Sequence, residues 1–289
     1  MTFSLQAEQT VDQSFDVQEK EEQLRSWMRH TGSLLVAYSG GVDSSYLAYV
    51  ASSEIGQNAL CVLGISPSVS GTQREEAASI AEDFGFRFRT IQTEEFADPA
   101  YVANPNNRCY FCKSELFEKM IVLAAKEGIT TIVDGTNFDD VGGHRPGRRA
   151  AEENGVRSPL VDFGFTKSDI RELSRKHGLP TWDKPASPCL SSRIAYGVPV
   201  TIERLTKVEK GESLLRKYGF REFRLRVHGE LARIEVSPDE FDRILDRRII
   251  RELSVAIQSL GFKFVTLDLH GYRSGALNEE LAGSKDEDE

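Results

Sequence analysis

The run Ser39-Gly40-Gly41-Val42-Asp43-Ser44 combines features that phosphate chemistry needs. Two adjacent glycines let a backbone turn tightly and come close to a ligand. Free amides at the start of the following helix, with the hydroxyls of Ser39, Ser44 and Ser45, form a nest for anionic oxygens. No lysine follows where GxxxxGKS/T has one, so this is not an ordinary P-loop. Asp43 would repel phosphates unless a cation bridges them, which implies Mg²⁺. A glycine pair alone also serves as a plain strand-to-helix turn.

Sulfur is the second candidate chemistry. Cys61 lies in the apolar run ALCVLGI and reads as a buried structural thiol. Cys109 and Cys112 form a CxxC pair just before a predicted helix, and Cys189 stands in the loop SPCLSSR. The pair fits packed thiols, or a redox couple without thioredoxin context. It also fits a zinc site completed by Cys189 and a histidine such as His144. Three thiolates can equally hold three irons of a 4Fe–4S cluster and leave the fourth iron open. Lys184 and Arg193 are the nearby cations that would favour a Cys189 thiolate.

These groups need a frame. Apolar or alternating runs over 33–38, 58–65, 86–92 and 130–134 read as strands. Helical patterns over 44–53, 72–84 and 114–127 lie between them, with another over 168–177. That alternation predicts a parallel sheet covered on both faces, with ligands at the carboxyl ends of its strands. The adenosine of a nucleotide is then placed between Ala37, Ser66 and Gly135, with Thr136 beside it, while Asp139 and Asp140 read as loop acids. The Pro-, Ser- and Gly-rich stretch 181–200 reads as a linker. Beyond it, a helix over 202–218, strands over 222–227 and 231–236, a long helix over 239–260 and a strand over 263–269 form a smaller α+β unit. Arg224 and Arg226 share one strand face there, as do Arg233 and Glu235, and Arg145, Arg148 and Arg149 form another basic cluster. The face of Arg224 and Arg226 is either an anion site or simply solvated.

Composition narrows the classes. The 289 residues are 39% hydrophobic and 28% charged, a globular mixture. No run suffices for a transmembrane helix and the first residues do not resemble a signal peptide, so the expected location is the cytoplasm. The net charge of −9 sits at the ends, with six acids and one base in 1–22 and again in 279–289. The near-neutral body, 34 bases against 33 acids, argues against a general nucleic-acid binder. The expected division is an acidic tail over 1–22, a nucleotide domain over 23–200, a small α+β domain over 201–275 and a second tail over 276–289.

SGGxDS in a first strand-to-helix turn resembles the PP-loop of N-type ATP pyrophosphatases, which implies cleavage of ATP to AMP and pyrophosphate. With LGISPSVS, NPNNRCYFCKSELF, DGTNFDD, RPGRRAAEENGVRSPL and LPTWDKPASPCLSSRIAYG, the chain resembles the LarE family from about residue 24 to the last strand. The resemblance implies a homo-oligomeric sulfur transferase in the making of the nickel-pincer cofactor of lactate racemase. It would act on the small molecule pyridinium-3,5-biscarboxylic acid mononucleotide, adenylylating each carboxylate and converting it to a thiocarboxylate. The family takes sulfur either from a sacrificed cysteine at the position of Cys189 or from a cluster-bound sulfide. Cys109, Cys112 and Cys189 together imply the 4Fe–4S version with a sulfide donor. Arg224 and Arg226 become candidates for the substrate phosphate, Arg193 and Arg148 for other substrate contacts, and Glu235 for a metal. Rival readings are a PP-loop tRNA thiolase, a non-enzymatic ATP-binding module and an amidotransferase-type synthetase, the last without a glutaminase domain.

Overall fold

Strand β1 (Leu34–Ala37) is buried along its whole length, as a central parallel strand with helices on both faces must be. It pairs in parallel with β2 (Ala59–Ile65) on one side and with β4 (Ile132–Val133) on the other, and β3 (Arg87–Gln92) extends the sheet beyond β2. The order β3-β2-β1-β4 is the predicted parallel sheet. Its faces are covered by α1 (Val17–Thr31), α2 (Val42–Ile55), α3 (Gly71–Asp83), α5 (Arg108–Glu127), α6 (Pro146–Glu153) and α8 (Lys167–Lys176), with short helices α4 (Pro99–Val102) and α7 (Pro159–Asp162) in the connections. One core cluster joins Leu34, Val36, Tyr46, Leu47, Phe165 and Leu173; another joins Leu35, Leu60, Phe117 and Met120.

A second sheet, of order β5-β6-β7, follows. Strands β5 (Phe223–His228) and β6 (Leu231–Val236) are antiparallel, and β7 (Phe264–Leu267) runs parallel to β6. Helices α9 (Ile202–Lys217), α10 (Phe241–Ile244) and α11 (Arg247–Gln258) accompany them. This computed structural model describes residues 16–142, 145–186 and 188–273. His144, residues 1–15 of the first expected tail and the whole of the 276–289 tail therefore fall outside the described residues.

Four sequence expectations change. Helix α5 starts at Arg108, so the CxxC pair sits inside the helix, at its second and fifth residues, rather than before it. The long helix over 239–260 is broken, because Asp246 accepts hydrogen bonds from the amides of Arg248 and Ile249 and starts α11 afresh. Helix α1 begins at Val17, inside the stretch assigned to the acidic tail, and buries Lys20 and Glu21. Finally, 181–200 is no simple linker. Leu190, Ile194 and Val200 join the core of the second sheet, Ile194 forms a β-bridge to Val227, and Ser191 and Arg193 are buried.

Candidate functional site

The loop after β1 is tight because its neighbours leave no alternative. Gly40 has φ +69°, and a Cβ there would lie 2.7 Å from the Cβ of Ala77 on α3. Gly41 caps α2 with extended backbone. Across the mouth, a Cβ on Gly135 would lie 2.9 Å from the Ser44 amide nitrogen, so the end of β4 meets the N-terminus of α2 backbone to backbone. The Ser39 amide donates to Ser44 Oγ at 3.1 Å, the two serine hydroxyls lie 3.0 Å apart, and the Gly41 amide points at Ser39 Oγ. The result is a small ring of hydroxyls and amides at a helix start, which suits anionic oxygens. Thr136 is held in its turn by Asp134, which also takes the Ser158 hydroxyl at 2.7 Å. Ala37 and Ser66 are buried at strand ends. A cleft of about 690 Å³, open to solvent, lies beyond β2 and β3 against α9, and of the expected nucleotide residues it is lined only by Ser66.

The loop's charged groups come from elsewhere in the chain. Lys167 Nζ donates to Asp43 Oδ2 at 2.6 Å, and Asn137 Nδ2 donates to Asp43 Oδ1 at 3.3 Å. Lys167 is placed by a capping box, in which Thr166 and Asp169 exchange side-chain and backbone hydrogen bonds at the start of α8. Its own amide donates to Asp139 Oδ2 at 2.8 Å, while Asp140 completes a capping box with Asn137. Lys184 Nζ donates to the Gly40 carbonyl at 3.0 Å and pairs with Glu76 at 2.7 Å. Lys167 escaped sequence reading because it lies far from the motif in the chain, and Lys184 was expected beside Cys189 rather than on this loop.

The three candidate cysteines converge. Cys109, Cys112 and Cys189 are close enough to feel one another's charge, and Tyr101 feels both Cys189 and Cys112. Burial, then the Glu95 and Cys189 charges, push the Cys112 thiol well up. Loss of water around its sulfur, then the Cys189 charge, push Cys109 up as well, although the residue as a whole is exposed. Two cations act on this pocket, Lys113 on Cys109 and Cys112 and Arg108 on Cys109, and Arg108 is buried. Burial opposes its charge, but Cys189 and Cys109 outweigh that and raise its pKa. Of the two cations expected beside Cys189, Lys184 is bound to the Gly40 carbonyl and Glu76, and Arg193 is paired with Glu212 and reaches Cys189 only at its carbonyl. Among the described residues no group of three or more His, Cys, Asp or Glu side chains is arranged to hold a metal ion. Glu95, 2% exposed, has neither carboxylate oxygen hydrogen-bonded. Nothing in its local sequence marks it.

The segment carrying Cys189 is clamped from several sides. Arg193 forms a two-pronged pair with Glu212 at 2.8 and 3.1 Å, and donates to the carbonyls of Pro188 at 2.6 Å and Cys189 at 3.1 Å. The Leu190 amide donates to the Ser68 carbonyl at 2.9 Å. Hydroxyls of Ser68, Tyr101 and Ser191 form a buried triangle with sides of 2.5, 2.8 and 3.0 Å. Arg108 donates to the Ser191 carbonyl at 2.9 Å and to Asn104 at 2.6 Å.

Arg224 and Arg226 do not form a solvated strand face, since they are 7% and 6% exposed. Arg226 is bound at both prongs by Glu235, at 3.0 and 3.1 Å, and donates to the Ser192 carbonyl at 2.7 Å. Glu235 also receives Arg233, so its charge is already matched. Arg224 differs. Among the described residues no carboxylate pairs with it; it reaches the carbonyls of Phe223 and Ala186 and lies over the Tyr272 ring. Burial, then the Arg193 charge, push its pKa down to about 10, the signature of a cation short of an anion. Arg148 lies on α6, pairs with Glu152 at 3.1 Å and is half-buried.

No family model matches the chain. It is 44% identical over 265 residues to an uncharacterised protein of Synechocystis, covering 92% of this chain and 99% of the relative. It is 33% identical, again over 265 residues, to the pyridinium-3,5-bisthiocarboxylic acid mononucleotide synthase of Lactiplantibacillus plantarum, covering 91% and 95%. A shorter match, 26% over 168 residues, covers 54% of this chain and 42% of a probable tRNA sulfurtransferase of Methanothermobacter thermautotrophicus.

Proposed function

The chain belongs to the LarE family of ATP-dependent PP-loop sulfur transferases, and we propose that it acts on pyridinium-3,5-biscarboxylic acid mononucleotide in building the nickel-pincer cofactor of lactate racemase. One observation carries the reading. Lys184 is held on the carbonyl of Gly40 in the nucleotide loop, and five residues later Cys189 enters the thiol pocket. An acyl phosphate made at the loop and a sulfur donor in the pocket are thereby tied to one short segment.

The chemistry follows from what each region offers. A carboxylate oxygen of the substrate attacks the α-phosphorus of ATP, the bond to the bridging oxygen breaks, and pyrophosphate leaves. The amides and hydroxyls of Ser39, Gly40, Gly41 and Ser44 receive its negative charge. Mg²⁺ is the cation this loop calls for. Asp43 would hold it, and the ion would offset the charge of the phosphate oxygens. Sulfur then attacks the acyl carbon and AMP departs. The Arg224 charge, unmatched by any carboxylate among the described residues, receives the substrate phosphate, with Arg226 fixing the Ser192 carbonyl behind it. Arg193 acts through the backbone of Pro188 and Cys189, and Arg148 stands at the periphery.

The sulfur source is the finer part of the proposal. The type and number of the three thiols, which lie near one another beside buried Arg108, support a 4Fe–4S cluster, although their present spacing is not that of a metal site. Such a cluster supplies an open iron for an added sulfide, and Cys109, Cys112 and Cys189 would hold it. Sacrifice of Cys189 alone is the competing source within the same family. The same proposal has the protein act in the cytoplasm and, as the family resemblance implies, as a homo-oligomer. The tRNA sulfurtransferase match spans about half of this chain and supports shared ATP chemistry rather than an RNA substrate.

Turnover with ATP and the mononucleotide should give AMP and pyrophosphate in equal amounts. ADP as the main product would remove the reading. On anaerobic, iron-replete protein, loss of iron and activity in each of Cys109→Ala, Cys112→Ala and Cys189→Ala supports the cluster. Dehydroalanine at position 189 by intact mass, with Cys109→Ala still active, identifies Cys189 as the donor.

A further inference from the structure

The nucleotide loop contains no lysine, yet a lysine ammonium occupies it. Lys167 reaches across from the start of α8, 124 residues along the chain, and neutralises Asp43 at 2.6 Å. The pair is not sealed, since the lysine side chain is 37% exposed and the aspartate 21%. Both backbones are fixed: Asp43 lies in the first turn of α2, and Lys167 is the first helical residue after the Thr166 cap. The lysine is further tethered through its amide to Asp139. Only the two side chains are free to change partner.

We propose that the Asp43–Lys167 ion pair is an exchange latch that makes nucleotide and divalent cation bind together rather than separately. In the closed latch Lys167 takes the place of the cation on Asp43. A divalent cation alone must displace an ammonium with nothing to receive it. A nucleotide alone brings anionic oxygens beside Asp43. When both arrive, Lys167 transfers to a phosphate oxygen and Asp43 to the cation, so each released charge meets an opposite one. Asn137 stays on the other carboxylate oxygen and keeps Asp43 oriented.

The inference rests on the loop being the ATP site. It is tested by equilibrium binding of Mn²⁺ and of a non-hydrolysable ATP analogue, α,β-methylene-ATP, to the full chain. Lys167→Met should bind Mn²⁺ several-fold more tightly than the wild type without nucleotide, because Asp43 is released. The same variant should bind the analogue at saturating Mn²⁺ at least tenfold more weakly. Lys167→Arg, which can keep the ion pair, should retain weak binding of Mn²⁺ alone. Unchanged Mn²⁺ affinity or unchanged analogue affinity in a folded Lys167→Met protein overturns the latch. If Lys167→Met does not fold, Lys167→Gln takes its place under the same criteria. Failure of the wild type to bind the analogue would instead overturn the ATP site itself.

Discussion

The nucleotide loop draws its anion-binding groups from six consecutive residues, whereas the thiol pocket gathers its parts from well-separated stretches. Ser39 to Ser44 need only one strand, one helix and the close approaches of Ala77 and Gly135. Cys189 is fixed by Ser68, Arg108, Arg193, Glu212 and Arg226, which act on it or its neighbours from beyond its own loop and from within it. The first site is mostly backbone and neutral hydroxyls, and the second rests on buried charge pairs. A local site built from amides loses little when one side chain goes. A dispersed site held by buried ions loses much, because the surviving partner is left charged and dry.

The largest expected effect is therefore in the thiol region. Glu212→Ala strands the Arg193 guanidinium, 2% exposed at its side chain, and removes the acceptor of the Leu225 amide. It should cost about 3–5 kcal/mol in urea unfolding. A cost below about 1 kcal/mol would break the contrast between the two regions. Next comes Gly40→Ala in the loop. Left-handed φ alone costs about 1–2 kcal/mol, and crowding against Ala77 adds about 1–3 kcal/mol. Adding Ala77→Gly should recover little of the crowding part, because the Ala77 Cα itself would lie 2.9 Å from the new Cβ and a glycine inside α3 costs about 0.5–1 kcal/mol. Full recovery in calorimetric melting would show that only the Ala77 methyl group crowds the loop. Ser39→Ala should be milder, about 0.5–1.5 kcal/mol, and should show in ATP affinity more than in melting temperature.

The smallest effect is a control outside both regions. Burial opposes the charge of Glu21, yet hydrogen bonds from Arg25 and His177 outweigh it and hold its carboxyl below the usual value of 4.5. A depressed carboxylate contributes stability that is complete above that value and is lost as the pH falls through the lower folded one. Glu21→Gln should thus reduce stability at neutral pH and flatten the acid limb below about pH 4.5, measured by denaturant midpoints. An unchanged acid limb would show that other carboxylates carry it.

The same contrast governs what the sequence discloses. β1, the glycine turn and α2 are legible because periodicity and turn chemistry are local. The start of α5 was missed because Pro105, Asn106 and Asn107 read as a loop that hides the helical setting of CxxC. The break at Asp246 carried a signal, an acidic cap before Arg-Arg-Ile-Ile, which the longer apolar period masked. Strand alternation put Arg224 and Arg226 on one face, but only packing against 186–192 reveals that the face is dry and that Glu235 already holds one of them. Lys167 and Glu95 are invisible in principle, since their roles depend on contacts that no local pattern records.

The clamps on the Cys189 segment also impose an order on its assembly. Glu212, Arg224 and Arg226 follow it in the chain, and their bonds to Arg193, Ala186 and Ser192 span 19, 38 and 34 residues. On the ribosome the four strands of the first sheet emerge earlier and can pair while Cys189 is still untethered. Ser68 and Arg108 can hold the segment as soon as it emerges, but its full set of clamps is complete only once β5 has arrived. The Cys189 side of the thiol pocket is therefore among the last parts of the fold to be fixed, whereas Cys109 and Cys112 already sit on a finished helix.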